Sequence, residues 1–414
     1  MTNSYYKTPI VFQAMPKWDH PYASTALNMA KRVSKKRKVF YVEHPYTWKD
    51  IITGNKAAIN KRLELWNPFK KPYHIPFAEY PNLIYIVPKP HLPINFLPEG
   101  ELFEYLRNGI SKAIWKTVDK TLDKFGIEEF IYFNSFDPIW SKIRTRKKVL
   151  GKFYQSVDNI EGESYIARHG SKAEKTAVMN AQAVITTSAE LKKKFKFYNH
   201  NIYKVENGVD YNHFDSKNQI AIPVDLAAIK GIKLLYVGNI GIRIDYQLIE
   251  KITSNFPQLN WVFVGPEDSR EFRGENLKKK SNVHFLGRRS YDEIPAYIMH
   301  ADICMLPFKC NELTKCIYPL KINEYFACGK PVLATPFSDL SFFDNQVQFF
   351  HDEASFKKQV EFALKQTSED INRKKETAKG NDWNERVLQI EKIIKLHTLY
   401  KSKQSIEETK YARA

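Results

Sequence analysis

Short apolar runs alternate with helical stretches along most of this chain, and the alternation starts again after about residue 200. Parallel strands need a crossover connection, usually a helix, so this alternation favours parallel sheets. The strand-like runs of the first half are Pro9–Met15, Lys38–Glu43, Leu83–Val87, Glu129–Asn134, Val149–Gln155 and Ala183–Thr187. Those of the second half are Lys233–Gly238, Trp261–Gly265, Val283–Leu286, Asp302–Pro307 and Pro331–Ala334. The pattern predicts an α/β fold of two doubly wound, Rossmann-like domains that face each other across a cleft.

The length of 414 residues also favours two domains, since ordinary domains have roughly 100–200 residues. Apolar periodicity lapses near residues 203–216, so we place the first domain at 1–205 and the second at 206–380. A further helix is expected over residues 381–400, followed by a polar tail over 401–414. The other predicted helices are Glu101–Phe125, Asp245–Ser254, Tyr291–His300 and Pro319–Cys328.

The helix predicted at Glu101–Phe125 depends on six apolar residues spaced four apart, with Gly126 as a stop. These residues are Leu102, Leu106, Ile110, Ile114, Val118 and Leu122. Residues 45–98 break the alternation, because they mix aromatic residues with lysines and are rich in proline. We interpret this stretch as an elaborated loop region, suited to a membrane interface or an acceptor groove. The alternative is a long loop whose aromatic residues pack on their own domain.

The net charge of +18 lies mainly in the first half. Residues 1–200 hold 33 Lys and Arg against 18 Asp and Glu, a net +15, and residues 201–414 hold 31 against 28, a net +3. A basic surface can bind nucleic acid, anionic lipid headgroups or an acidic substrate, or can be a solvated face without a partner. No basic recognition helix and no glycine-rich dinucleotide fingerprint occur, so we expect no nucleic-acid partner.

Residues 1–7 lack a basic-then-apolar signal pattern, and no apolar run reaches the roughly 18 residues of a membrane span. We therefore expect a cytoplasmic protein, which can still attach peripherally to the inner face of the membrane. The four cysteines, Cys304, Cys310, Cys316 and Cys328, lie within 25 residues, but their spacing does not fit structural zinc. No metal is expected.

The segment Pro319–Val332 carries the main chemical signal. Proline at the first turn of its predicted helix, with Gly329 just past the end, matches the usual asymmetry of helix termini. Backbone N–H groups at such a start attract phosphate, and Lys321 adds positive charge. Glu324 lies about one turn further in, roughly 5–8 Å along the axis, where a carboxylate can accept hydrogen bonds from two ribose hydroxyls. The segment predicts a nucleoside-diphosphate site, with a solvent-facing Glu324 as the alternative.

Five segments of the second half follow each other in a characteristic order. They are Val205–Phe214, Tyr236–Gly241, Asn282–Arg288, Ala301–Ile303 and Pro319–Val332. Together they resemble the second domain of GT-B glycosyltransferases of family 4, including the branch of teichuronic-acid biosynthesis enzymes. The resemblance covers about residues 200–400, with scattered likeness at Tyr154–Asp158 and Ile185–Ser188. It implies a GT-B fold, a nucleotide-sugar donor bound by the second domain, and a last helix that crosses back to an acceptor-binding first domain.

The resemblance also implies which residues contact the donor. They are Gly238, Asn239, Gly241, Arg243, Gly265, Thr314, Pro319, Leu320, Lys321 and Glu324. Two positions depart from the family pattern: Cys316 replaces the first of two glutamates, which lies near the donor sugar, and Asn239 replaces an arginine on the diphosphate. Neutralising the phosphates then depends on Arg243, Lys321 and backbone amides, without a metal and without a cofactor beyond the donor substrate. The alternatives are a surface lysine for Lys321, a surface ion pair for Arg243, and a plain strand-to-helix turn for Gly238 and Gly241.

The first domain is expected to hold the acceptor and any acid–base group. Polar side chains follow three of its predicted strands, at the edge where ligands bind in doubly wound sheets. The candidates, in order, are Asp158, His20 with Asp19, and Asp137, with His169 weaker. Each aspartate can instead be a helix cap or turn residue. The resemblance favours retention of configuration, in which the departing diphosphate takes the acceptor proton, whereas inversion would require one of these groups as a base.

These observations predict a glycosyltransferase that moves a sugar from a nucleotide-diphosphate sugar to a glycan or lipid-linked acceptor in surface polysaccharide or glycolipid biosynthesis. A nucleotide-sugar epimerase on a similar fold, a degenerate transferase and a non-enzymatic nucleic-acid-binding protein are the alternatives.

Overall fold

The computed structural model describes residues 7–19, 24–67, 69–163, 166–215, 220–343 and 345–411, with side chains of the last helix up to residue 398. The chain forms two compact units. Unit 1 consists of residues 1–206 and 387–414, and unit 2 of residues 207–386. None of the described helices is both long enough and apolar enough to cross a membrane.

Unit 1 is built on an eight-stranded sheet. Its strands are β1 (Ile10–Ala14), β2 (Val39–Glu43), β3 (Tyr73–His74), β4 (Leu83–Ile86), β5 (Glu129–Ser135), β6 (Lys148–Ser156), β7 (Ala183–Thr186) and β8 (Ile202–Lys204). Their order is β3-β4-β2-β1-β5-β6-β7-β8, and all neighbours are parallel except β3 and β4. Every residue of β1, β2, β4 and β7 is buried, as expected for strands covered on both faces.

Six helices connect these strands in the part of unit 1 that the structure describes. They are α1 (Thr25–Ser34), α2 (Trp48–Thr53), α3 (Lys56–Trp66), α4 (Glu101–Lys124), α5 (Ala167–Asn180) and α6 (Ala189–Phe195). Helices α2 and α3 lie within residues 45–98, so the prediction of a loop region there is wrong in part. Thr47 and Asp50 form a capping box at the start of α2, and the Asn55 side chain caps α3. These caps satisfy backbone N–H groups that would otherwise be exposed and thereby favour helix.

Helix α4 forms where the apolar spacing predicts it, but its buried face differs from the predicted one. Ile114, Val118 and Leu122 are buried, whereas Leu102 is 61% exposed. At about 100° per residue, a spacing of four residues overshoots a full turn by about 40° per step. From Leu102 to Leu122 this drift accumulates to about 200°, which turns the first residue to the solvent side. Phe103, the next residue, is buried instead.

Unit 2 is built on a six-stranded, fully parallel sheet. Its strands are β9 (Ile232–Val237), β10 (Leu259–Val264), β11 (Val283–Gly287), β12 (Ile303–Leu306), β13 (Val332–Ala334) and β14 (Val347–Phe349). The order β11-β10-β9-β12-β13-β14 is the 3-2-1-4-5-6 order of the Rossmann fold. The connections after β9 and β12 therefore leave in opposite directions, and a crevice opens between them at the carboxyl edge of the sheet.

The remaining helices lie in or begin in unit 2. They are α7 (Tyr211–Phe214), α8 (Val224–Ala227), α9 (Tyr246–Asn255), α10 (Ile294–Met299), α11 (Leu320–Ala327), α12 (Glu353–Ala363), α13 (Ser368–Gly380) and α14 (Trp383–Tyr411). Helix α14 passes from unit 2 into unit 1. There Arg37 Nη2 donates to Glu391 Oε2 at 2.8 Å, and the Tyr203 hydroxyl lies 2.9 Å from His397 Nε2. The helix continues to Tyr411, past the expected start of a polar tail at residue 401.

All eleven predicted strands are present, each within two residues of its predicted ends. The additional strands β3, β8 and β14 have only two or three residues, too few to leave a periodic signal in the sequence. The predicted α/β class with parallel sheets is therefore confirmed.

Candidate functional site

Three glycines stand at the carboxyl ends of three neighbouring strands of unit 2. Gly238 follows β9 with φ of +155°, Gly265 follows β10 with φ of +153°, and Gly287 ends β11 with φ of +72°. A Cβ placed on Gly265 would lie 1.8 Å from the carbonyl oxygen of Gly238. Both conformation and space therefore require glycine at this contact, and the edge presents bare backbone.

The connections after β9 and β12 meet at the switch point of the sheet. The Lys309 N–H donates to the Arg243 carbonyl at 2.8 Å, and the Asp245 N–H donates to the Pro307 carbonyl at 2.9 Å. The Tyr246 hydroxyl donates to the Gly241 carbonyl at 3.0 Å, which holds the turn that follows β9. The turn predicted to contact the donor, residues 238–243, thus lies where ligands bind in doubly wound sheets.

Helix α11 is anchored to the same edge. Pro319 precedes it with extended backbone, at φ −78° and ψ 95°. The Tyr325 hydroxyl accepts the N–H of Val237 at 3.0 Å, which ties the helix to the end of β9. At the other end Gly329 has φ of +71°, and the Lys330 N–H donates to the Tyr325 carbonyl at 2.9 Å. The helix therefore starts after Pro319 and stops at Gly329, as the sequence predicts.

Glu324 is 2% exposed, so it is not the solvent-facing residue that the sequence leaves as an alternative. Its Oε2 accepts a hydrogen bond from Lys321 Nζ at 2.8 Å, and the Lys321 side chain is 30% exposed. A buried carboxylate needs a charged or hydrogen-bonding partner. Lys321 therefore offsets the charge of Glu324 besides adding positive charge near the helix start.

Thr314 has a different position from the one expected of a donor ligand. It is 0% exposed, and its hydroxyl donates to the Lys309 carbonyl, while its N–H donates to Asn311 Oδ1 at 3.1 Å. These bonds hold the loop between β12 and α11 in shape. Cys316, at the position of the missing glutamate, is 5% exposed in the same segment.

In unit 1 the switch point lies between β1 and β5, and Asp137 is located there. It is 0% exposed. Its Oδ2 accepts from Gln13 Nε2 at 3.2 Å, and its Oδ1 lies 3.1 Å from His44 Nδ1. His44 follows β2 directly, and its side chain is 25% exposed. A buried carboxylate thus orients a partly exposed imidazole, an arrangement suited to proton transfer.

Asp19 belongs to a buried ion-pair cluster. Arg62 donates to both carboxylate oxygens of Asp19, at 2.7 and 3.0 Å, and to both oxygens of Glu43 at 3.2 Å. Arg62 is 0% exposed. Burial acts to raise the pKa of Asp19, but the hydrogen bonds and charge of Arg62 outweigh it and hold the pKa below its usual value. Asp19 is consequently a weak base.

The other predicted acid–base candidates are more dispersed. Asp158 lies two residues beyond β6 and is half-buried. His169 is 5% exposed and stacks on Phe103 with ring centroids 3.7 Å apart. His20 lies outside the described residues.

The sequence reasoning missed His44, Arg62 and Glu43. His44 and Glu43 stand at the end of an evident strand, and that position is a usable signal for a ligand-binding edge. Arg62 left no such signal, because it lies on α3 in a stretch read as loop.

Part of unit 2 matches a known protein family. Residues 231–366 match the model of the group 1 glycosyl transferases. These residues are a group 1 glycosyltransferase domain. The matched range contains the predicted donor residues, from Gly238 to Glu324.

One curated relative is TuaH of Bacillus subtilis, described as a teichuronic acid biosynthesis glycosyltransferase. It is 26% identical over 168 residues, which cover 39% of this chain and 42% of that protein. The match thus spans less than half the length of the relative, and what it shows is a distant relationship.

Solved structures show the same fold over nearly the whole chain. Sucrose-phosphate synthase from Thermosynechococcus elongatus matches with a TM-score of 0.65 and 14% identity, covering 96% of this chain and 100% of that one. The Anabaena protein HepE, in complex with UDP and glucose, matches with a TM-score of 0.60 and 13% identity, covering 94% and 99%. The glycosyltransferase domain is therefore part of a GT-B fold, as predicted.

Proposed function

We propose that this protein transfers a sugar from a nucleoside-diphosphate sugar to a hydroxyl group of a glycan or lipid-linked acceptor, in the synthesis of a surface polysaccharide or glycolipid. The observation that carries the proposal is the combination, within unit 2, of a glycine-lined sheet edge, the start of α11 and the buried Glu324. The described role of TuaH in teichuronic acid synthesis supports the acceptor class, and the UDP and glucose held by HepE support the donor class.

In this proposal the diphosphate binds over Gly238 and the start of α11. A glycine edge lets phosphate oxygens approach backbone N–H groups, and the positive end of the helix dipole favours the anion. Lys321 and Arg243 supply the cationic side chains. Glu324 accepts hydrogen bonds from the ribose hydroxyls, with Lys321 holding its carboxylate in place.

We propose retention of the anomeric configuration without a metal ion. As the bond from the sugar to the diphosphate breaks, negative charge grows on the leaving phosphate, and the helix start with two cations stabilises it. The acceptor hydroxyl loses its proton to that phosphate on the same face of the sugar. Asp158, the first-ranked candidate of unit 1, would then position the acceptor hydroxyl, with Asp137 acting through His44.

We also propose an anionic membrane as the surface partner of unit 1, contacted through α2 and α3. No residue of α2 is buried, although two of its residues are large and apolar. Trp48 is 51% exposed and Ile52 is 81% exposed, and Phe69 beyond α3 is 95% exposed. Exposed lysines interleave with these side chains, namely Lys49, Lys56, Lys61 and Lys70. Apolar side chains beside cations suit the headgroup region of an anionic bilayer.

The membrane partner is tested by co-sedimentation with vesicles of phosphatidylglycerol and phosphatidylcholine against phosphatidylcholine alone. Ile52→Asp with Phe69→Asp should lower binding to the anionic vesicles at least tenfold. Phe362→Asp, at a 62% exposed residue of unit 2, is the matched control and should leave binding unchanged. Equal binding of all three proteins to anionic vesicles would contradict the proposed surface.

The transferase function is tested by titrating UDP, GDP and ADP, and then their sugar conjugates, into the protein by calorimetry. One nucleotide should bind, and its sugar conjugate should be slowly hydrolysed in the absence of acceptor, with and without EDTA. Glu324→Ala should weaken nucleotide binding by about 1–3 kcal/mol, the usual cost of losing hydrogen bonds to a charged group. Glu190→Ala, on the surface of unit 1, is the control. A protein that binds none of the nucleotides would refute the proposal.

A further inference from the structure

Unit 1 contains a cavity of about 400 Å³ between helices α4 and α5. Its floor is formed by β5 and β6 through Tyr132, Asn134, Phe153 and Tyr154. A second cavity of about 300 Å³ shares Arg107, Ala173 and Thr176 with it, so the two adjoin along α5. We call the larger cavity the α4–α5 groove. Its volume falls in the usual range of small-molecule sites, roughly 300–1,000 Å³.

The lining of the groove carries an excess of positive charge. Arg107, Lys142 and Lys152 are among its described lining residues, and none of these lining residues is acidic. Arg107 is paired with Glu104, which lines the neighbouring cavity, at 2.6 Å. The pKa of Lys142 is lowered by partial loss of hydration and by the nearby cations Arg144 and Arg107. Cations that repel each other in this way are stabilised by an anion placed among them.

The floor of the groove is a fixed polar surface. The Tyr132 hydroxyl donates to Gln13 Oε1 at 2.7 Å and accepts from Asn134 Nδ2 at 3.0 Å. Asn134 Nδ2 also donates to the Asp137 carbonyl at 2.9 Å, and its Oδ1 accepts the Asp137 N–H at 3.0 Å. These bonds hold the floor rigid and connect it with the carboxylate that orients His44. The donor hydrogens of Tyr132 and Asn134 are used within the protein, but Asn134 Oδ1 keeps a second lone pair that can accept from a hydroxyl of a ring-shaped ligand.

We propose that the α4–α5 groove binds a small anion of the sugar-phosphate kind, with its phosphate among Arg107, Lys142 and Lys152 and its hydroxylated ring over Tyr132 and Asn134. A uronic acid, which places a carboxylate on a similar ring, shares this chemistry. The groove belongs to unit 1, whereas the proposed nucleotide site belongs to unit 2. Binding of an anion in the groove can therefore be correct even if the proposed glycosyl transfer is not.

The test is calorimetry at low ionic strength with glucose 6-phosphate, glucuronate, inorganic phosphate and uncharged glucose. A saturating concentration of UDP, GDP or ADP, whichever the protein binds, is present so that the proposed unit 2 site is occupied. Hydrogen exchange with and without ligand then locates the binding. We expect glucose 6-phosphate or glucuronate to bind, glucose not to bind, and peptides covering residues 138–144 and 173–181 to gain protection. Binding of glucose 6-phosphate would show that the groove takes a phosphate, and binding of glucuronate would show that it takes a carboxylate.

The variant Lys142→Gln with Lys152→Gln should weaken that binding at least tenfold. Its matched control is Lys148→Gln, which removes a 72% exposed lysine of the same strand, β6. Urea unfolding of each variant shows that the fold is retained, and the double variant should bind the same nucleotide as tightly as the wild type. The proposal is overturned if neither sugar anion binds, if the double variant binds as tightly as the control, or if protection appears only in unit 2.

Discussion

We predict that Glu174 makes the stability of unit 1 depend on pH between about 5 and 8. It lies on α5 and is 1% exposed. Its Oε1 accepts from the Tyr154 hydroxyl at 3.0 Å and from Ser156 Oγ at 2.8 Å, whereas its Oε2 has no hydrogen-bond partner among the described residues. Burial raises the pKa of Glu174 from 4.5 to about 7. Glu174→Gln keeps the accepting oxygen and removes the charge.

The raised pKa of Glu174 determines the direction in which the free energy of unfolding changes with pH. Below the unfolded pKa of 4.5 the carboxyl is protonated in both states and costs nothing. As pH rises towards 7 the unfolded chain loses the proton first, so folding becomes progressively less favourable. The folded and unfolded pKa values differ by about 2.5, and each pKa unit corresponds to about 1.36 kcal/mol. The ionised carboxyl therefore lowers the free energy of unfolding by about 3 kcal/mol once the pH exceeds 7. The Gln variant escapes this cost.

We therefore expect Glu174→Gln to gain about 2 kcal/mol of unfolding free energy relative to wild type between pH 5 and pH 8. Urea denaturation followed by tryptophan fluorescence measures it, since five of the seven tryptophans lie in unit 1. Glu190→Gln, at a surface ion pair on α6, is the control and should show no such trend. A difference between variant and wild type that stays constant from pH 5 to pH 8 would show that Glu174 does not titrate there.

Arg62→Met should destabilise unit 1 by about 3–5 kcal/mol in urea, because Glu43, which is 1% exposed, loses its arginine and Asp19 keeps only Lys61 at 3.8 Å. A loss below about 1 kcal/mol would mean that Lys61 and the Trp18 N–H are enough to hold the two carboxylates. Gly265→Ala should abolish nucleotide binding in calorimetry, since its Cβ would collide with the Gly238 carbonyl. Gly109→Ala, where a Cβ meets nothing within 4 Å, is its control. Thr314→Val should lower the thermal midpoint and weaken nucleotide binding together, because it releases the loop before α11; weaker binding at an unchanged midpoint would instead make Thr314 a direct ligand.

Unit 2, with the proposed nucleotide site, was the more predictable from sequence, because its signals are local. The Gly238 turn, the helix start after Pro319 and the stop at Gly329 each depend on residues a few positions apart. The neighbouring pair Lys321 and Glu324 was identified for the same reason. Its mutual salt bridge was not, because the spacing of three residues places the two side chains close together without fixing which way they point.

The surroundings of the acid–base candidates in unit 1 were harder to predict, because their partners are distant in sequence. Asp19 and Arg62 are 43 positions apart, and His44 and Asp137 are 93 apart. A carboxylate at the end of a strand has the same sequence signature whether it is free for chemistry or held by a buried arginine. The partner, and not the residue type, decides which of the two it is.

By itself the sequence determined the alternation of strands and helices, the parallel sheets, and the glycine turn and helix start of unit 2. These follow from the periodicity of apolar residues and from local backbone preferences, which act over one or two turns. Only the tertiary structure decided the strand order, the burial of Glu324, the capture of Asp19 by Arg62 and the alignment of His44 with Asp137. Those depend on which distant segments the sheet brings side by side, and on the cost of leaving a charge unpaired once water has been excluded.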